Sequence, residues 1–244
     1  MMNNEPTLVF IHGAFHGSWV WRELFTQLSV PGWRLQTVEL PSVAAKGEPR
    51  GDLFDDADAV RRVLVSIDGP IVAVAHSYGG VPLTQAAAGV PNVHHLVYLC
   101  AFQLDVGESL LDDIGEPPNW WIIDDDTLSP DRPVDTFYAD VSPDLAAWAV
   151  SQLRPSTYLH VKQSPTAAAW RDIPSTYVIC EHDRALPASG QEQMARRATN
   201  VHRLPCSHSP MLSRVPETAA IIADVAIQVN HALRQPIKGD SSAR

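Results

Sequence analysis

The sequence predicts an α/β fold, with a mostly parallel central sheet that carries helices on both faces. Two observations predict it. Short apolar runs alternate with stretches of helical periodicity along most of the chain, an order that is typical of parallel sheets. One apolar run, residues 71–75, also breaks sharply at Ser77 and turns into a helix. The 244 residues are enough for one large domain of this kind.

Six apolar runs are typical of strands that are buried on both faces of a sheet. They cover residues 7–11, 34–38, 71–75, 95–100, 175–180 and 200–204. Helices are predicted at residues 19–28, 53–67, 80–89, 188–198 and 216–233. In the last helix, apolar residues recur every three or four positions. We therefore expect one of its faces to pack against the sheet, with no ligand implied.

The alternation stops between residues 103 and 172, a span with seven prolines, many aromatic residues and no clear strand. We interpret it as a cap, or lid, over the carboxyl ends of the strands, where open α/β sheets bind their ligands. The predicted organisation is therefore a core of residues 1–102 and 173–234 and a cap of residues 103–172. A flexible C-terminal tail is expected at residues 235–244.

The net charge of the chain restricts its partners. A formal charge of −10 argues against nucleic acid or an anionic membrane as a partner, because either one needs a basic face. Residues 103–144 hold twelve acidic residues against one basic residue, Arg132. Such a run is typical of a solvated surface, and repulsion of anionic ligands is the alternative interpretation.

The chain has no apolar run of 18 residues and no basic segment at its N-terminus. We therefore expect neither a membrane span nor a signal peptide, and a cytoplasmic location. The three cysteines, Cys100, Cys180 and Cys206, are odd in number and widely spaced. They indicate reduced, buried thiols rather than disulfides or a zinc site.

The break at Ser77 has the features of a nucleophile elbow, a sharp turn between a strand and a helix that exposes a serine hydroxyl. Gly79 and Gly80 lack a Cβ atom and let the helix pass close to the strand. Ala75 stands where the usual motif has glycine, which is a mild departure. The alternative is a buried serine at an ordinary strand-to-helix turn.

A serine nucleophile needs a base within hydrogen-bond reach and a third group that orients the base. Asp183 and His208 each follow a predicted strand, so we expect both at the sheet edge that carries Ser77. The chain order of serine, acid and histidine is that of this fold class. Ser77, Asp183 and His208 are therefore the candidate catalytic triad, with Asp105 as a competing acid.

An oxyanion hole needs two backbone N–H donors. The candidates are Tyr78, at the helix start, and Ala14, in the loop of residues 12–17. The spacing of Gly13 and Gly17 in this loop is not that of a dinucleotide site, and we expect no cofactor and no metal. Candidate substrate-binding residues are His16, Trp121, Phe137, Trp148 and His160, although each aromatic residue could equally be part of the core.

These residues resemble the α/β-hydrolase superfamily, and more closely its branch of plant methyl esterases, hydroxynitrile lyases and bacterial esterase relatives. Residues 12–19, 71–80, 181–187 and 207–213 carry the resemblance. It implies an α/β-hydrolase fold with a cap inserted after the strand that the family counts as its sixth. It also implies Ser77 as nucleophile, His208 as base, Asp183 as acid, and Ala14 and Tyr78 as oxyanion donors.

Two details of the resemblance favour hydrolysis over cyanide chemistry. The lyases typically carry a lysine directly after the catalytic histidine, where this chain has Ser209, and a threonine near the first oxyanion donor, where it has His12-Gly13-Ala14. We therefore expect a serine hydrolase that cleaves a carboxylic ester, a small hydrophobic or methyl ester, through an acyl-enzyme.

Three other hypotheses about the function stay open at this point. They are a hydroxynitrile lyase or a lactonase that uses the same triad, and a non-catalytic ligand-binding module on a hydrolase scaffold. The expected partner is a small hydrophobic ester. The oligomeric state is open, with a homodimer as one outcome.

Overall fold

The computed structural model describes residues 5–29 and 32–235 and has a central sheet of six parallel strands. The strands in chain order are β1 (Thr7–Ile11), β2 (Arg34–Val38), β3 (Ile71–His76), β4 (Val93–Leu99), β5 (Trp121–Asp124), β6 (Thr127–Pro130), β7 (Ser156–Thr157), β8 (Ser175–Cys180) and β9 (Asn200–Leu204). The central sheet has the order β2-β1-β3-β4-β8-β9. The fold class predicted from the sequence is confirmed.

The inner strands of the central sheet are apolar because they are covered on both faces. Every residue of β1, β3 and β8 is buried. The prediction that all six strands are buried is wrong for β2 and β9, which lie at the two edges of the sheet. Exposed and half-buried residues alternate along most of β2, and only Leu204 of β9 is buried. Their Arg, Gln, Asn and His side chains reach solvent at these edges.

Helices surround the central sheet. They are α1 (Arg22–Leu28), α2 (Leu53–Ser66), α3 (Gly80–Ala86), α4 (Leu110–Ile114), α5 (Pro133–Phe137), α6 (Pro143–Gln152), α7 (Ala188–Ala195), α8 (Pro210–Ser213) and α9 (Val215–Arg234). Short 3-10 helices occupy Ser18–Trp21, Ser77–Gly79, Leu159–Val161 and Ala169–Arg171. Helix α1 packs against α9, and α2 packs against α3. In the described part of the chain, no helix is both long and apolar enough to cross a membrane.

The 103–172 segment, which runs from the end of β4 towards β8, has a small sheet of its own. Strands β5, β6 and β7 pair antiparallel, so the expectation of no clear strand in this segment is wrong. The strands are only four, four and two residues long. The β5–β6 turn uses Asp125 and Asp126, which the sequence presents as part of an acidic run, and Asp125 has a positive φ of 55°.

Backbone hydrogen bonds attach residues 155–157 of the 103–172 segment to the core. Thr157 N donates to Ser42 O (2.9 Å) and Ala44 N donates to Pro155 O (3.3 Å). Division of the chain into core and cap stays a prediction, and most of the expected C-terminal tail lies outside the described residues. Because the central strands are parallel, the segments that follow β1, β3, β8 and β9 meet at one edge of the sheet. This edge carries the candidate site.

Candidate active site

The turn after β3 holds Ser77 in a conformation that suits an exposed nucleophile. Ser77 has a φ of +53°, a left-handed value that costs about 1–3 kcal/mol and is concentrated at functional sites. A Cβ atom on Gly79 would lie 2.4 Å from the His12 carbonyl oxygen, and one on Gly80 would lie 2.4 Å from the Phe102 carbonyl oxygen. The elbow therefore requires glycine at both positions.

Asp183 and His208 are buried and hydrogen-bonded to each other. Nδ1 of His208 lies 2.7 Å from Oδ2 of Asp183. The carboxylate also accepts hydrogen bonds from Ala185 N (2.8 Å), Leu186 N (2.9 Å) and the Gln191 side chain (3.0 Å). Four donors therefore fix the orientation of the acid, and the acid in turn fixes the imidazole ring.

Asp105, the competing acid, lies elsewhere. Its carboxylate pairs with the Arg171 guanidinium at 2.7 Å, which lowers the pKa of Asp105 against the effect of desolvation. The sequence offers two acids after neighbouring strands, and the structure brings only Asp183 to His208 among the described residues.

Ser77 and His208 line the same cavity. In the described part of the chain, the Ser77 hydroxyl makes no hydrogen bond to the imidazole, whose Nε2 is left free by the bond from Nδ1 to Asp183. The ring of His76 lies 4.6 Å from that of His208, and its Nε2 bonds the His208 carbonyl oxygen at 2.8 Å. His76 thus anchors the backbone that carries the candidate base.

One group of side chains in the described residues could approach a metal ion, namely His76, Cys100 and His208. The Cys100 thiol donates to the His208 carbonyl oxygen at 3.4 Å, and burial raises its pKa to about 12. His208 also uses its Nδ1 for Asp183. The chemistry of this donor set therefore fits a metal poorly.

The loop after β1 lies directly on the elbow. A Cβ atom on Gly13 would be 2.8 Å from Cβ of Ser77. Ala14 and Tyr78, the candidate oxyanion donors, line the cavity beside Ser77. The Ala14 N–H donates to no other group among the described residues.

The side chain of Tyr78 points to a group that the sequence reasoning missed. Its hydroxyl donates to Oδ2 of Asp56 at 2.7 Å, and Oδ1 of Asp56 accepts from Ser42 N at 2.8 Å. Asp56 is fully buried on α2, and desolvation raises its pKa to about 6. No signal in the sequence separates Asp56 from the other acids near it, Asp52, Asp55 and Asp58.

His16 lines the cavity with both ring nitrogens occupied by the protein. Nδ1 lies 2.7 Å from the Ala14 carbonyl oxygen and Nε2 lies 2.8 Å from the Tyr138 hydroxyl. Burial lowers the pKa of His16 to about 3, which keeps the ring neutral. Its ring fixes the shape of the cavity, and its nitrogens hold the loop.

Three more of the predicted substrate-binding residues, Trp121, Phe137 and His160, line the same cavity. Trp148 does not. Its ring packs edge-on against Trp19, with 5.3 Å between the ring centroids, and lies 4.2 Å from the Arg22 guanidinium carbon. The interpretation of Trp148 as a pocket residue is therefore corrected. It faces α1 and the 3-10 helix before it because α6 packs there.

The remaining wall of the cavity is almost entirely apolar. It is formed by Phe15, Phe102, Leu110, Ile114, Pro118, Trp120, Leu128, Val161, Ala185 and Leu186. None of these was singled out from the sequence as substrate-binding, although the aromatic content of the 103–172 segment pointed to its part of the wall. No charged side chain lines the cavity among the described residues.

Comparisons with known proteins agree with this fold. Residues 8–221 match the model of the alpha/beta hydrolase family. A curated relative, alpha/beta hydrolase nvfD of Aspergillus novofumigatus, is 28% identical over 91% of this chain and 97% of its own length. Methylesterase 7 of Arabidopsis thaliana is 25% identical over 92% of this chain and 97% of its own length.

Solved structures are similar in fold. A pyrethroid hydrolase from Sphingobium faniae superposes with a TM-score of 0.78 at 22% identity, and the match covers 91% of this chain and 97% of that one. Polyneuridine aldehyde esterase superposes with a TM-score of 0.78 at 19% identity, over 91% of this chain and 99% of that one. The family match spans most of the chain, and the chain therefore belongs to the alpha/beta hydrolase family.

Proposed function

We propose that the protein is a carboxylic ester hydrolase that works through an acyl-enzyme formed on Ser77. The observation that carries the proposal is the 2.7 Å hydrogen bond between His208 and Asp183, beside a serine with a positive φ at the head of a helix. Base, orienting acid and nucleophile are the parts that serine hydrolysis requires. Relatives named as methylesterases support the choice of an ester as substrate.

In the first half of the proposed reaction, the Ser77 hydroxyl attacks the ester carbonyl carbon and Nε2 of His208 takes its proton. The bond to Asp183 holds the imidazole in the required tautomer and stabilises its cation. The N–H groups of Ala14 and Tyr78 stabilise the oxyanion. The imidazolium then protonates the leaving alcohol, and the acyl group stays on Ser77.

In the second half, a water molecule gives a proton to His208 and attacks the acyl carbon. The tetrahedral intermediate collapses, Ser77 recovers its proton from the imidazolium, and the carboxylic acid leaves. Apo structures often hold nucleophile and base looser than the reacting complex does. We expect the hydrogen bond from the Ser77 hydroxyl to Nε2 of His208 to form when substrate occupies the cavity.

The apolar wall supports a small hydrophobic ester, and a methyl ester fits the named relatives. We propose that the 103–172 segment acts as the cap of the site, since it supplies Trp120, Trp121 and Phe137 to the wall. A charged substrate would have to shed its water without gaining an opposite charge, which is costly.

The proposal extends to location and partners. Three buried free cysteines support a cytoplasmic location. The net charge of −10 supports a small-molecule ester as the partner rather than nucleic acid or an anionic membrane. A homodimer is one of the oligomeric states that sedimentation velocity would distinguish.

The test is release of p-nitrophenol from short-chain p-nitrophenyl esters by the wild type, Ser77→Ala and Ser151→Ala. Ser151 is an exposed serine on α6 and serves as the matched control. We expect Ser77→Ala to lose at least about 10³-fold in kcat and Ser151→Ala to stay within about twofold of the wild type. Turnover by Ser77→Ala near that of the wild type would overturn the mechanism, and no release from any ester would favour a lyase or a binding module.

A further inference from the structure

Two polar groups in the wall of the cavity have no protein partner. Both ring nitrogens of His160 and Nε1 of Trp121 are buried and unbonded among the described residues. His160 is fully buried, and both residues line the cavity that contains Ser77. We call His160 and Trp121 the polar pair. Buried polar atoms are nearly always hydrogen-bonded, so a set of three in one cavity points to a ligand.

The neighbours of His160 cannot satisfy it. Its ring stacks on Tyr78, with 3.9 Å between ring centroids and 17° between ring planes. The Tyr78 hydroxyl is already committed to Asp56 at 2.7 Å. His16, another histidine of the wall, likewise has both ring nitrogens engaged. Apart from His208, whose Nε2 is assigned to the proposed base, His160 is therefore the histidine of this wall that offers nitrogen atoms to a ligand.

The chemistry of the polar pair defines the group that would fit it. Desolvation holds the pKa of His160 near 3, so the ring is neutral at working pH, with one N–H donor and one acceptor nitrogen. Trp121 adds a donor only. Since no charged side chain lines the cavity, a carboxylate or ammonium group would be buried without a counter-charge. A hydroxyl is neutral and can both donate and accept.

We propose that the polar pair is a specificity site for a hydroxyl group on the acyl half of the substrate. The hydroxyl donates to the acceptor nitrogen of His160, and its oxygen accepts from Nε1–H of Trp121. The inference rests on the proposed function and deepens it, because it names the substrate class as hydrophobic esters of hydroxylated acids.

The test uses methyl 3-phenylpropanoate and its three ring-hydroxylated isomers, with the three ring-methylated isomers as size controls. We expect the best hydroxylated isomer to exceed its methyl counterpart in kcat/KM by about tenfold or more in the wild type. His160→Phe retains a ring to stack on Tyr78 and removes both nitrogens, so the ratio should fall to about one. His160→Gln retains a donor and an acceptor and should recover part of the ratio.

Val161→Ala is the matched control, because Val161 lines the same cavity without a polar atom. Its ratio should stay within about twofold of the wild type. Each ratio is taken within one variant, so a change in folding or overall turnover does not move it. An unchanged ratio in folded His160→Phe, or no preference for any hydroxylated isomer in the wild type, would overturn the inference.

A binding measurement separates this inference from the proposed function. In Ser77→Ala, calorimetry should give a dissociation constant about tenfold lower for the best hydroxylated ester than for its methyl counterpart. The difference should vanish in Ser77→Ala/His160→Phe. If the wild type hydrolyses no ester, the proposed function is wrong. The difference in dissociation constant between the hydroxylated and the methylated ester still tests the polar pair in that case. Equal dissociation constants in Ser77→Ala would overturn the inference.

Discussion

On the core side of the cavity, Asp183 accepts four hydrogen bonds and His16 uses both of its ring nitrogens. On the side formed by the 103–172 segment, His160 and Trp121 leave three buried polar atoms without a protein partner. The core side has a fixed geometry that suits general base chemistry. The other side has unused hydrogen-bonding capacity that suits selection among substrates.

The largest expected effect tests the fixed side. Asp183→Asn replaces the acceptor of the His208 Nδ1–H by an amide and favours the wrong tautomer. We expect kcat for a p-nitrophenyl ester to fall by about 10³–10⁴-fold. Asp105→Asn, which alters the competing acid, should stay within a few-fold of the wild type. Similar losses in the two variants would remove the reason to assign the acid to Asp183.

A second substitution tests how tightly the elbow is packed. Gly79→Ala would place a Cβ atom 2.4 Å from the His12 carbonyl oxygen. We expect the free energy of unfolding in urea to fall by about 3 kcal/mol. The control is Gly190→Ala on α7, where the new Cβ would lie 3.6 Å from Cδ1 of Leu186. It should be neutral or slightly stabilising, and equal losses at both positions would argue against a crowded elbow.

The buried histidines predict a dependence of stability on pH. Burial lowers the pKa to about 3 for His16 and His160 and to about 4 for His95. Between these values and the ordinary pKa of 6.5, the unfolded chain binds more protons than the folded protein does. The contribution of these histidines to the free energy of unfolding is therefore complete above pH 6.5 and is lost as the pH falls. Asp56 acts in the opposite sense, because burial raises its pKa from 3.8 to about 6. Its contribution to the free energy of unfolding is therefore greatest at low pH and is lost as the pH rises through about 6.

The measurement is urea unfolding at pH 5.0, 5.5 and 6.5. Burial also lowers the pKa of His76 and His94, and it raises the pKa of Asp113. Because the histidines with lowered pKa outnumber the carboxyl groups with raised pKa, the free energy of unfolding should rise across this range. His160→Phe removes one of the titrating groups and should reduce the slope by about 1 kcal/mol per pH unit. A variant with the slope of the wild type would mean that His160 is not held neutral in the folded state.

The smallest effect concerns Trp148, which packs against Trp19 and Arg22 outside the cavity. Trp148→Leu should lower the free energy of unfolding by about 1 kcal/mol through lost ring contacts. The relative kcat/KM values across a panel of methyl esters should not change. Phe137→Leu, which alters a residue of the wall, should reorder the panel. A reordered panel in Trp148→Leu would return this residue to the substrate site.

Much of the core and its site could be predicted because local sequence determines them. The strands before Ser77 and Asp183 are apolar runs. Parallel pairing brings their carboxyl ends, and that of the edge strand before His208, to one edge whatever lies between them in the chain.

The 103–172 segment could not be predicted to the same depth. Its strands are too short for an alternating pattern, and their pairing depends on contacts with Ser42 and Val43 of the core. Whether Trp121 or Trp148 faces the cavity depends on how β5 and α6 pack, which the residue type does not encode. Asp56 was missed because its partner, Tyr78, lies 22 residues away along the chain.

The attachment of β7 to the core restricts how a substrate can reach Ser77. Thr157 N is bonded to Ser42 O, and Ser42 N is bonded in turn to Asp56 beneath Tyr78. The part of the segment around β7 is therefore anchored to the core. A groove outside the site shares Ile114, Trp120 and Leu186 with the cavity. Because β7 is attached on the other side, we expect substrate to enter through this groove, past Ile114 at the end of α4.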